Sequence, residues 1–495
     1  MNTTTSQPAD PRREKSGLET FLGLFAEVRR GEAGTALLLT ANVFLILAAY
    51  YVIKPVREAL ILATGGAEVK AYTSALQTVL LLGAVPLYAK LASRFPRRRL
   101  INVVTLFFIG CLVAFFLMAK VGLRLQIPML LSPFSNPHFG FVPLSLGVLF
   151  YLWVGIFNVM VVAQFWSFAN DLYTPEQGKR LFAIVGFGAS AGAVAGPFIS
   201  AGLIDSLGPY PLLLVAGAIL VLSLFLTNVV DARERAVAPP VRTGTGAASD
   251  ETASSTSGRD STGRGTGTTD SAKNPSKEEP IGKEGAYKLV FSSRYLLLIA
   301  LLILFLNWVN STGEYILGRV VTQEATQLAA QGVDKGTFIG KFYSDFFGVV
   351  NLVGLVVQLF FVSRILKYWG VRVALLIMPV IALLGYSLVA FVPILALIRW
   401  VKTAENATDY SLQNTLRGVL FLPTTREQKY KAKQAIDTIF VRGGDALSAL
   451  LVFVGTQFLA FQTREFALVN MAFVGIWILL AIAVGIRYRS LTQKA

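Results

Sequence analysis

The sequence predicts an all-α membrane protein of about twelve transmembrane helices, arranged as two pseudo-symmetric bundles of six. Three observations carry this prediction: an apolar composition, the number of long apolar segments, and the alternating charge of the loops between them. Of the 495 residues, 54% are hydrophobic and 15% are charged, with a mean hydropathy of +0.59. A soluble fold of this length buries less apolar surface, so the surplus requires lipid as its solvent.

The apolar segments are long enough to span a bilayer. Residues 33–53 contain no charge, and a helix rising about 1.5 Å per residue crosses the roughly 30 Å hydrocarbon core over that length. Hydropathy indicates six spans and then six more, near residues 33–63, 70–92, 99–119, 145–170, 178–205, 209–230, 293–319, 338–364, 372–392, 394–421, 433–460 and 466–487. Residues 373–398 also fit one long span through Pro393, which would give eleven spans and an external C terminus.

Loop charge indicates the orientation and the domain boundaries. Basic residues follow the even-numbered spans, as in 90–99 and 487–494, on the side of the N terminus. The positive-inside rule therefore predicts a multi-pass protein of the cell inner membrane with both termini cytoplasmic. The expected division begins with a cytoplasmic N-terminal segment (1–32) and a six-helix bundle (33–231). A disordered cytoplasmic linker rich in Gly, Ser and Thr (232–290) then leads to a second six-helix bundle (291–489) and a cytoplasmic tail (490–495).

Composition also argues against several classes of function. The chain has a single cysteine, Cys111, and a single histidine, His138, so we expect no intrachain disulfide, no Cys/His-built metal site and no cofactor. We find no phosphate-cradling Gly-rich loop and no nucleophile–base pair, so we expect no enzyme activity. The net charge of +16 comes from basic residues at helix ends, which argues against a nucleic-acid partner.

The first span ends in a cluster of polar side chains. At about 100° per residue, Tyr50, Lys54, Arg57 and Glu58 fall on one helix face, and Pro55 predicts a kink there. An ionised side chain at mid-bilayer costs on the order of 3 kcal/mol, so these charges should face a wet cavity or a partner. The alternative is that they mark the outer end of a long helix and snorkel to the interface.

The tenth span carries the longest polar stripe. The polar residues recur at steps of three or four on one side of the helix, and they are Arg399, Lys402, Glu405, Asp409, Gln413 and Arg417. The spacing predicts that Arg399 or Lys402 pairs with Glu405, and that Asp409 reaches Arg417 only through water or a partner helix. A solvated loop helix is the alternative if the Pro393 region forms one span.

Further polar positions complete the candidate site. One face of span seven carries Asn307, Asn310 and Glu314, and span four ends near Asn170. Span five has glycines at four-residue spacing, which predict a close contact with a neighbouring helix. The predicted substrate-binding residues are Tyr50, Lys54, Arg57, Asn170, Asn307, Asn310, Glu314, Arg399, Lys402 and Arg442. The predicted proton- or ion-coupling residues are Glu58, Asp409, Asp437 and Asp445.

Two short repeats relate the halves. The basic stretch from Arg94 corresponds to that from Arg364, and Thr174-Pro-Glu-Gln-Gly-Lys-Arg corresponds to Thr425-Arg-Glu-Gln-Lys-Tyr-Lys, each in the same ordinal loop of its half. A duplicated set of six helices with a polar central linker resembles the major facilitator architecture, whose substrates bind near the midplane between the halves.

Four passages resemble the ATP/ADP translocase family of plastids and intracellular bacteria. They are Tyr50-Tyr-Val-Ile-Lys-Pro-Val-Arg-Glu, Phe165-Trp-Ser-Phe-Ala-Asn with Glu176-Gln-Gly-Lys-Arg-Leu-Phe, Leu306-Asn-Trp-Val-Asn, and Lys429-Tyr-Lys-Ala-Lys-Gln-Ala-Ile-Asp-Thr. The resemblance implies a facilitator-type fold and transport of a nucleotide or related phosphate compound. It also implies that Lys54 and Arg57 contact the phosphates.

Two of that family's charges are absent. The family's glutamate in span seven corresponds to Asn310 here, and the nearest glutamate of this chain is Glu314, one turn later. The family's lysine in span eleven corresponds to a position near Asp445, and Arg442 is the only basic residue close to it. The resemblance therefore implies a divergent member with a phosphorylated, nucleoside-like or other anionic cargo, moved by exchange or ion coupling. The alternatives are a proton-coupled exporter of an unrelated small molecule and a membrane sensor or scaffold that transports nothing.

Overall fold

A computed structural model of the chain describes residues 28–29, 32–121, 127–128, 143–237 and 286–493. The predicted N-terminal segment (1–32), the predicted linker (232–290) and the predicted tail (490–495) fall largely or partly outside these residues. Helix α5 continues to Val237, and the next described helix begins at Ala286.

The described residues of the first half form five helices. The long helix α1 is followed by α2, then by two short antiparallel strands, and then by three more helices. Their bounds are Glu32–Ala92 (α1), Arg97–Lys120 (α2), Ile127–Pro128 (β1), Pro143–Leu144 (β2), Leu146–Leu172 (α3), Pro175–Leu207 (α4) and Leu212–Val237 (α5).

The second half begins with a short helix and contains three π-helical turns. The helices are Ala286–Ser292 (α6), Arg294–Ala329 (α7), Lys335–Phe360 (α8), Val362–Tyr368 (α9), Gly370–Phe391 (α10), Leu395–Thr408 (α11), Asn414–Val419 (α12), Lys433–Ala435 (α13), Val441–Gln457 (α14) and Thr463–Thr492 (α15). The π-helical segments are Asp409–Gln413, Gln428–Ala432 and Ile436–Phe440.

These helices confirm the predicted fold class. The described residues contain 10 helices that are long and apolar enough to cross a membrane. One of them, α1, contains both of the first two predicted spans, which meet at Gly66. The charged segment Leu395–Val419 is not among the 10, but it forms a helix of its own after a non-helical break at Pro393. The chain therefore follows the six-plus-six division rather than the single long span.

The break in α1 lies at Gly66 and not at the predicted position, Pro55. Pro55 and Lys54 have helical backbone dihedrals, whereas Gly66 has φ 74° and ψ −176°. Glycine tolerates this positive φ because it has no Cβ. The polar face that ends the first span is therefore continuous, and the chain turns only after it.

The glycine-rich face of α4 packs directly on the first part of α1, as its spacing predicts. A Cβ atom at Gly192 would lie 2.2 Å from the carbonyl oxygen of Phe44. The same holds one turn to either side, at Gly188 and Gly196, which face Thr40 and Ala48. In the second half α14 approaches α7 in the same way, since a Cβ at Gly444 would lie 2.8 Å from the carbonyl oxygen of Leu304. Corresponding helices of the two halves thus make equivalent backbone contacts.

The two repeated loops have equivalent local structure. The hydroxyl of Thr174 accepts a hydrogen bond from the amide of Gln177, whose side chain accepts one from the Thr174 amide. Thr425 and Gln428 make the same reciprocal pair in the second half. Both are capping boxes that begin a helix, so the repeat marks the same structural position in each half.

The two halves meet between the last turns of α4 and the first turns of α8. The hydroxyls of Ser200 and Ser344 hydrogen-bond at 2.8 Å, and both side chains are fully buried. One turn further, the ammonium of Lys341 lies 3.0 Å from the carboxylate of Asp205. These contacts join the two halves directly.

Candidate functional site

A cavity of about 330 Å³ lies between the two halves. Its walls come from α1 and α3 in the first half, and from α7, α8, the 395–419 segment and α14 in the second. Its polar and aromatic lining consists of Tyr50, Lys54, Arg57, Glu58, Lys70, Ser74, Gln77, Tyr151, Asn158, Asn310, Ser311, Glu314, Tyr315, Phe347, Asn406, Tyr410, Arg442, Asp445 and Ser448.

Eight of the fourteen predicted site residues line this cavity. They are Tyr50, Lys54, Arg57, Glu58, Asn310, Glu314, Arg442 and Asp445. The charges at the end of the first span therefore face an internal space, as cavity lining requires, rather than the outer interface.

The other six lie elsewhere. Asn170 is exposed at the end of α3, and the Asn307 side chain donates to the carbonyl of its own helix at Ile303. Arg399 sits over a phenyl ring of α8, with its guanidinium carbon 5.6 Å from the ring centroid. Asp409 and Asp437 pair with basic residues of their own segments, and Lys402 lies behind the cavity wall.

Glu58 holds two basic side chains of α1 together. Its carboxylate is fully buried and accepts hydrogen bonds from the neighbouring Arg57 guanidinium. The ammonium of Lys70, which follows the break at Gly66, lies 2.7 Å from the other carboxylate oxygen. Residues on both sides of the break at Gly66 therefore line the cavity, and Glu58 pairs with one basic residue from each side, Arg57 and Lys70.

Glu314 connects the halves. One carboxylate oxygen lies 3.9 Å from the ammonium of Lys70 in the first half, and the other lies 3.7 Å from the ammonium of Lys402 in the second. The side-chain amide of Asn406 also donates to it at 2.9 Å. About a quarter of the Glu314 side chain remains exposed to the cavity (24%).

Lys402 supports the cavity wall from behind. Its side chain is 1% exposed, and its ammonium donates to the amide oxygen of Asn310 at 2.8 Å and to Glu405 at 3.0 Å. Glu405, itself fully buried, also accepts from the Tyr386 hydroxyl at 2.9 Å. The predicted Lys402–Glu405 pair is therefore confirmed, and its position makes Lys402 a support for Asn310 and Glu314.

Lys54 differs from the other cations of the site. In the described part of the chain, no carboxylate oxygen lies within 4.0 Å of its ammonium. The ammonium lies 3.9 Å from the ring centroid of Phe347, 5.2 Å from that of Tyr51 and 5.8 Å from that of Tyr410, whose hydroxyl is 3.5 Å away. Cation–π contacts stabilise this ammonium without neutralising it.

The second-half wall adds a separate ion pair. The guanidinium of Arg442 lies 3.3 Å from the carboxylate of Asp445, which also accepts a hydrogen bond from the Ser311 hydroxyl at 2.6 Å. Both members of this pair face the cavity. This end of the cavity is therefore polar but balanced in charge.

Asp409 and Arg417 pair directly, which corrects the expectation that they would need water or a partner helix. Their charged groups are 3.3 Å apart. The expectation assumed ideal α-helical spacing, whereas residues Asp409–Gln413 form a π-helical turn. Because a π turn bonds residue i to i+5, the distance and direction between the two side chains differ from those of an α-helix.

Sequence reasoning missed several lining residues. Lys70 lies at the start of the second predicted span, and an ionisable residue there is a sequence signal for a polar environment, but the predicted site does not include it. The amides of Gln77, Asn158 and Asn406 and the ring of Tyr410 have no comparable signal, because only the rotation of each helix decides which side chains face the cavity.

Comparison with known proteins assigns this architecture. The sequence profile of the Major Facilitator Superfamily matches residues 39–404. Among solved structures, the fold is similar to the inward-facing, unoccupied structure of a bacterial homolog to the human lysosomal transporter Spinster, with a TM-score of 0.56 and 13% identity. That match covers 94% of this chain and 99% of the other. At this identity the likeness shows the fold.

Two bacterial carriers are similar to part of this chain in sequence. Over 185 residues the chain is 25% identical to ADP,ATP carrier protein 5 of Rickettsia typhi, which covers 35% of this chain and 36% of the relative. Over 378 residues it is 22% identical to ADP,ATP carrier protein 1 of Chlamydia pneumoniae, which covers 66% of this chain and 64% of the relative. The chain thus matches less than two thirds of the length of these curated relatives.

Proposed function

Because this chain belongs to the Major Facilitator Superfamily of secondary transporters, we propose that it carries an organic anion across the cell inner membrane by alternating access. Nucleotide-like and other phosphorylated metabolites are the first candidates, moved by exchange or by ion coupling. The observation that carries this proposal is Lys54, a buried cation that faces the cavity between the halves without a carboxylate partner among the described residues.

An unpaired ammonium is an unusual component of a buried site. A buried charge is costly unless another charge or several hydrogen bonds compensate it. Phe347 and Tyr410 provide partial compensation, and Lys54 is one of the residues that line the cavity. The anionic group of a substrate would complete the site, with the neighbouring Arg57 as a second donor.

The remaining polar groups suit recognition of the rest of the molecule. Asn310 and Asn406 present amide groups, and Glu314 presents an acceptor, on the wall formed by the second half. Arg442 and Asp445 provide a donor and an acceptor at the same wall. Such a set of convergent polar groups orients a ligand and distinguishes it from others.

The similarity to ADP,ATP carriers supports a nucleotide-like cargo. Those relatives are named for carrying ADP and ATP. The passage Tyr50-Tyr-Val-Ile-Lys-Pro-Val-Arg-Glu, which resembles the ATP/ADP translocase family, includes Lys54 and Arg57. Facilitator-type transport fits the structure, since the cavity lies between two halves that also contact each other directly, for example through Ser200 and Ser344.

A proton-coupled exporter is the second candidate. Glu314 favours it, because this partly exposed carboxylate lies between lysines of both halves and faces the cavity. Glu58 and Asp445 are further carboxylates of the lining. Protonation of such a group would weaken an ion pair that joins the halves, which is one way to couple a proton to their movement.

The direct test is uptake by the purified chain in liposomes. We expect uptake of at least one labelled nucleotide or related phosphorylated anion, and loss of that uptake in a Lys54→Ala/Arg57→Ala variant. The matched control is Lys367→Ala, a surface lysine of α9. Equal uptake by the double variant and the wild type would remove the assigned roles. Transport that collapses with a protonophore and ignores every anion would favour the exporter.

A further inference from the structure

The lining of the cavity has a small and definite charge. It includes four basic side chains, Lys54, Arg57, Lys70 and Arg442, and three acidic ones, Glu58, Glu314 and Asp445. The pair behind the wall, Lys402 and Glu405, adds one charge of each sign. The described site therefore carries one excess positive charge when every group has its usual ionisation state.

The ion pairs show where that excess lies. Glu58 pairs with Arg57 and Lys70, Glu314 contacts Lys70, and Asp445 pairs with Arg442. Lys54 is the cation left over. The lining thus offers a ligand one uncompensated charge at one known place, surrounded by aromatic rings.

From this balance we infer that the ligand enters with one net negative charge, and that Glu314 sets this valence; the inference rests on the proposed transport of an anion. In a cavity whose walls are protein, charges are screened less than in bulk water, so site and ligand should sum to near zero. A second or third negative charge on the ligand would lie close to Glu314 and Glu58, and the described lining has no further unpaired cation to meet it.

Among the acidic residues of the lining, Glu314 is the one whose neutralisation should change the preferred charge of the ligand with the least disturbance of the protein structure. It is partly exposed to the cavity, and its ammonium partners lie at 3.7 and 3.9 Å, further away than the 2.7 Å between Glu58 and Lys70. Glu58, by contrast, is fully buried and holds Arg57 and Lys70. The inferred ligand class is therefore monoanionic: phosphodiesters, monocarboxylates, or phosphorylated compounds whose own amino group cancels part of the phosphate charge.

A valence series on the full chain tests this inference. Binding to purified protein is measured by calorimetry at constant ionic strength for adenosine, cyclic AMP, AMP, ADP and ATP, which share a base and differ in charge. A phosphomonoester carries about −1.5 to −2 charges at pH 7, whereas the cyclic diester carries a single one. Butyrate, succinate and tricarballylate form a second series without a base.

We expect the monoanion of a series to bind at least about tenfold more tightly than its multivalent members, because each excess charge meets a carboxylate in a weakly screened site. In Glu314→Gln the preference should move by one charge, so that the dianion gains about tenfold relative to the monoanion. Glu176→Gln, at an exposed glutamate of the first turn of α4, is the matched control and should leave the ranking unchanged.

The outcomes separate this inference from the proposed function. If ADP or ATP binds most tightly to the wild type, or if Glu314→Gln leaves the ranking unchanged, the valence inference is overturned while anion transport stands. If no anion of either series binds, both fall. The wild-type series does not depend on any variant, so misfolding of Glu314→Gln would leave it intact as a test.

Discussion

Substitution of Lys54 by methionine separates a binding role from a structural one, because the two predict opposite effects on stability. Methionine keeps a long side chain against the rings of Phe347 and Tyr410 but removes the charge. Lys54 is only 8% exposed and has no carboxylate partner among the described residues, so its charge costs free energy in the empty protein. We therefore expect the thermal midpoint without ligand to stay the same or to rise.

The loss of binding can be estimated from the geometry. Two unit charges about 4 Å apart interact by about 1 kcal/mol in water and by about 4 kcal/mol at the effective dielectric constant of about 20 that suits protein sites. Since each 1.4 kcal/mol is about tenfold in affinity, Lys54→Met should weaken binding of the transported anion by roughly 5- to 1,000-fold. Lys54→Arg retains the charge and should lose much less.

A thermal-shift titration measures both quantities on one sample. At a ligand concentration of about 100 times Kd, binding stabilises the folded protein by about 2.7 kcal/mol, and the variant should lose most of that stabilisation. The reasoning is refuted if Lys54→Met lowers the midpoint of the empty protein while the ligand-induced shift is retained. That result would make Lys54 a structural residue.

Three further predictions follow from packing and from the contact between the halves. Lys402→Met should cost about 3–5 kcal/mol in thermal stability, because it leaves a fully buried carboxylate unpaired; an unchanged midpoint would contradict the buried pair. Gly192→Leu should abolish folded protein in size-exclusion chromatography, since its Cβ would meet a backbone carbonyl at 2.2 Å, whereas Gly202→Leu, with open space, should behave as wild type. Cysteines at Ser200 and Ser344 should cross-link and stop transport until a reductant is added, and transport by the cross-linked form would disprove a moving interface there.

The helical architecture was accessible from the sequence because it follows from composition and chain length. Hydropathy alone left open whether one helix or two cross the membrane around Pro393. The structure has two helices there, with a non-helical break between Phe391 and Leu395. The duplicated capping motifs at Thr174 and Thr425 were visible as short repeats because each begins a helix with the same local chemistry.

The site was only partly accessible, for a geometric reason. Lys54 and Arg57 were identifiable because polar groups on one face of an apolar span need a wet environment. Lys402 was expected on the cavity side, but the rotation of α11 turns it toward Asn310 and Glu405. Periodicity defines a face of a helix and does not define what that face meets, and a π-helical turn such as the one at Asp409 shifts the face further along the helix.

The most direct test of the whole account is an experimental structure of the protein with its transported anion bound. We predict density for the anionic group between the two halves, within about 4 Å of the Lys54 ammonium and on the side facing Glu314 and Asn406. Density for the anion at any site away from this cavity, with Lys54 still enclosed by its aromatic rings alone, would contradict the account.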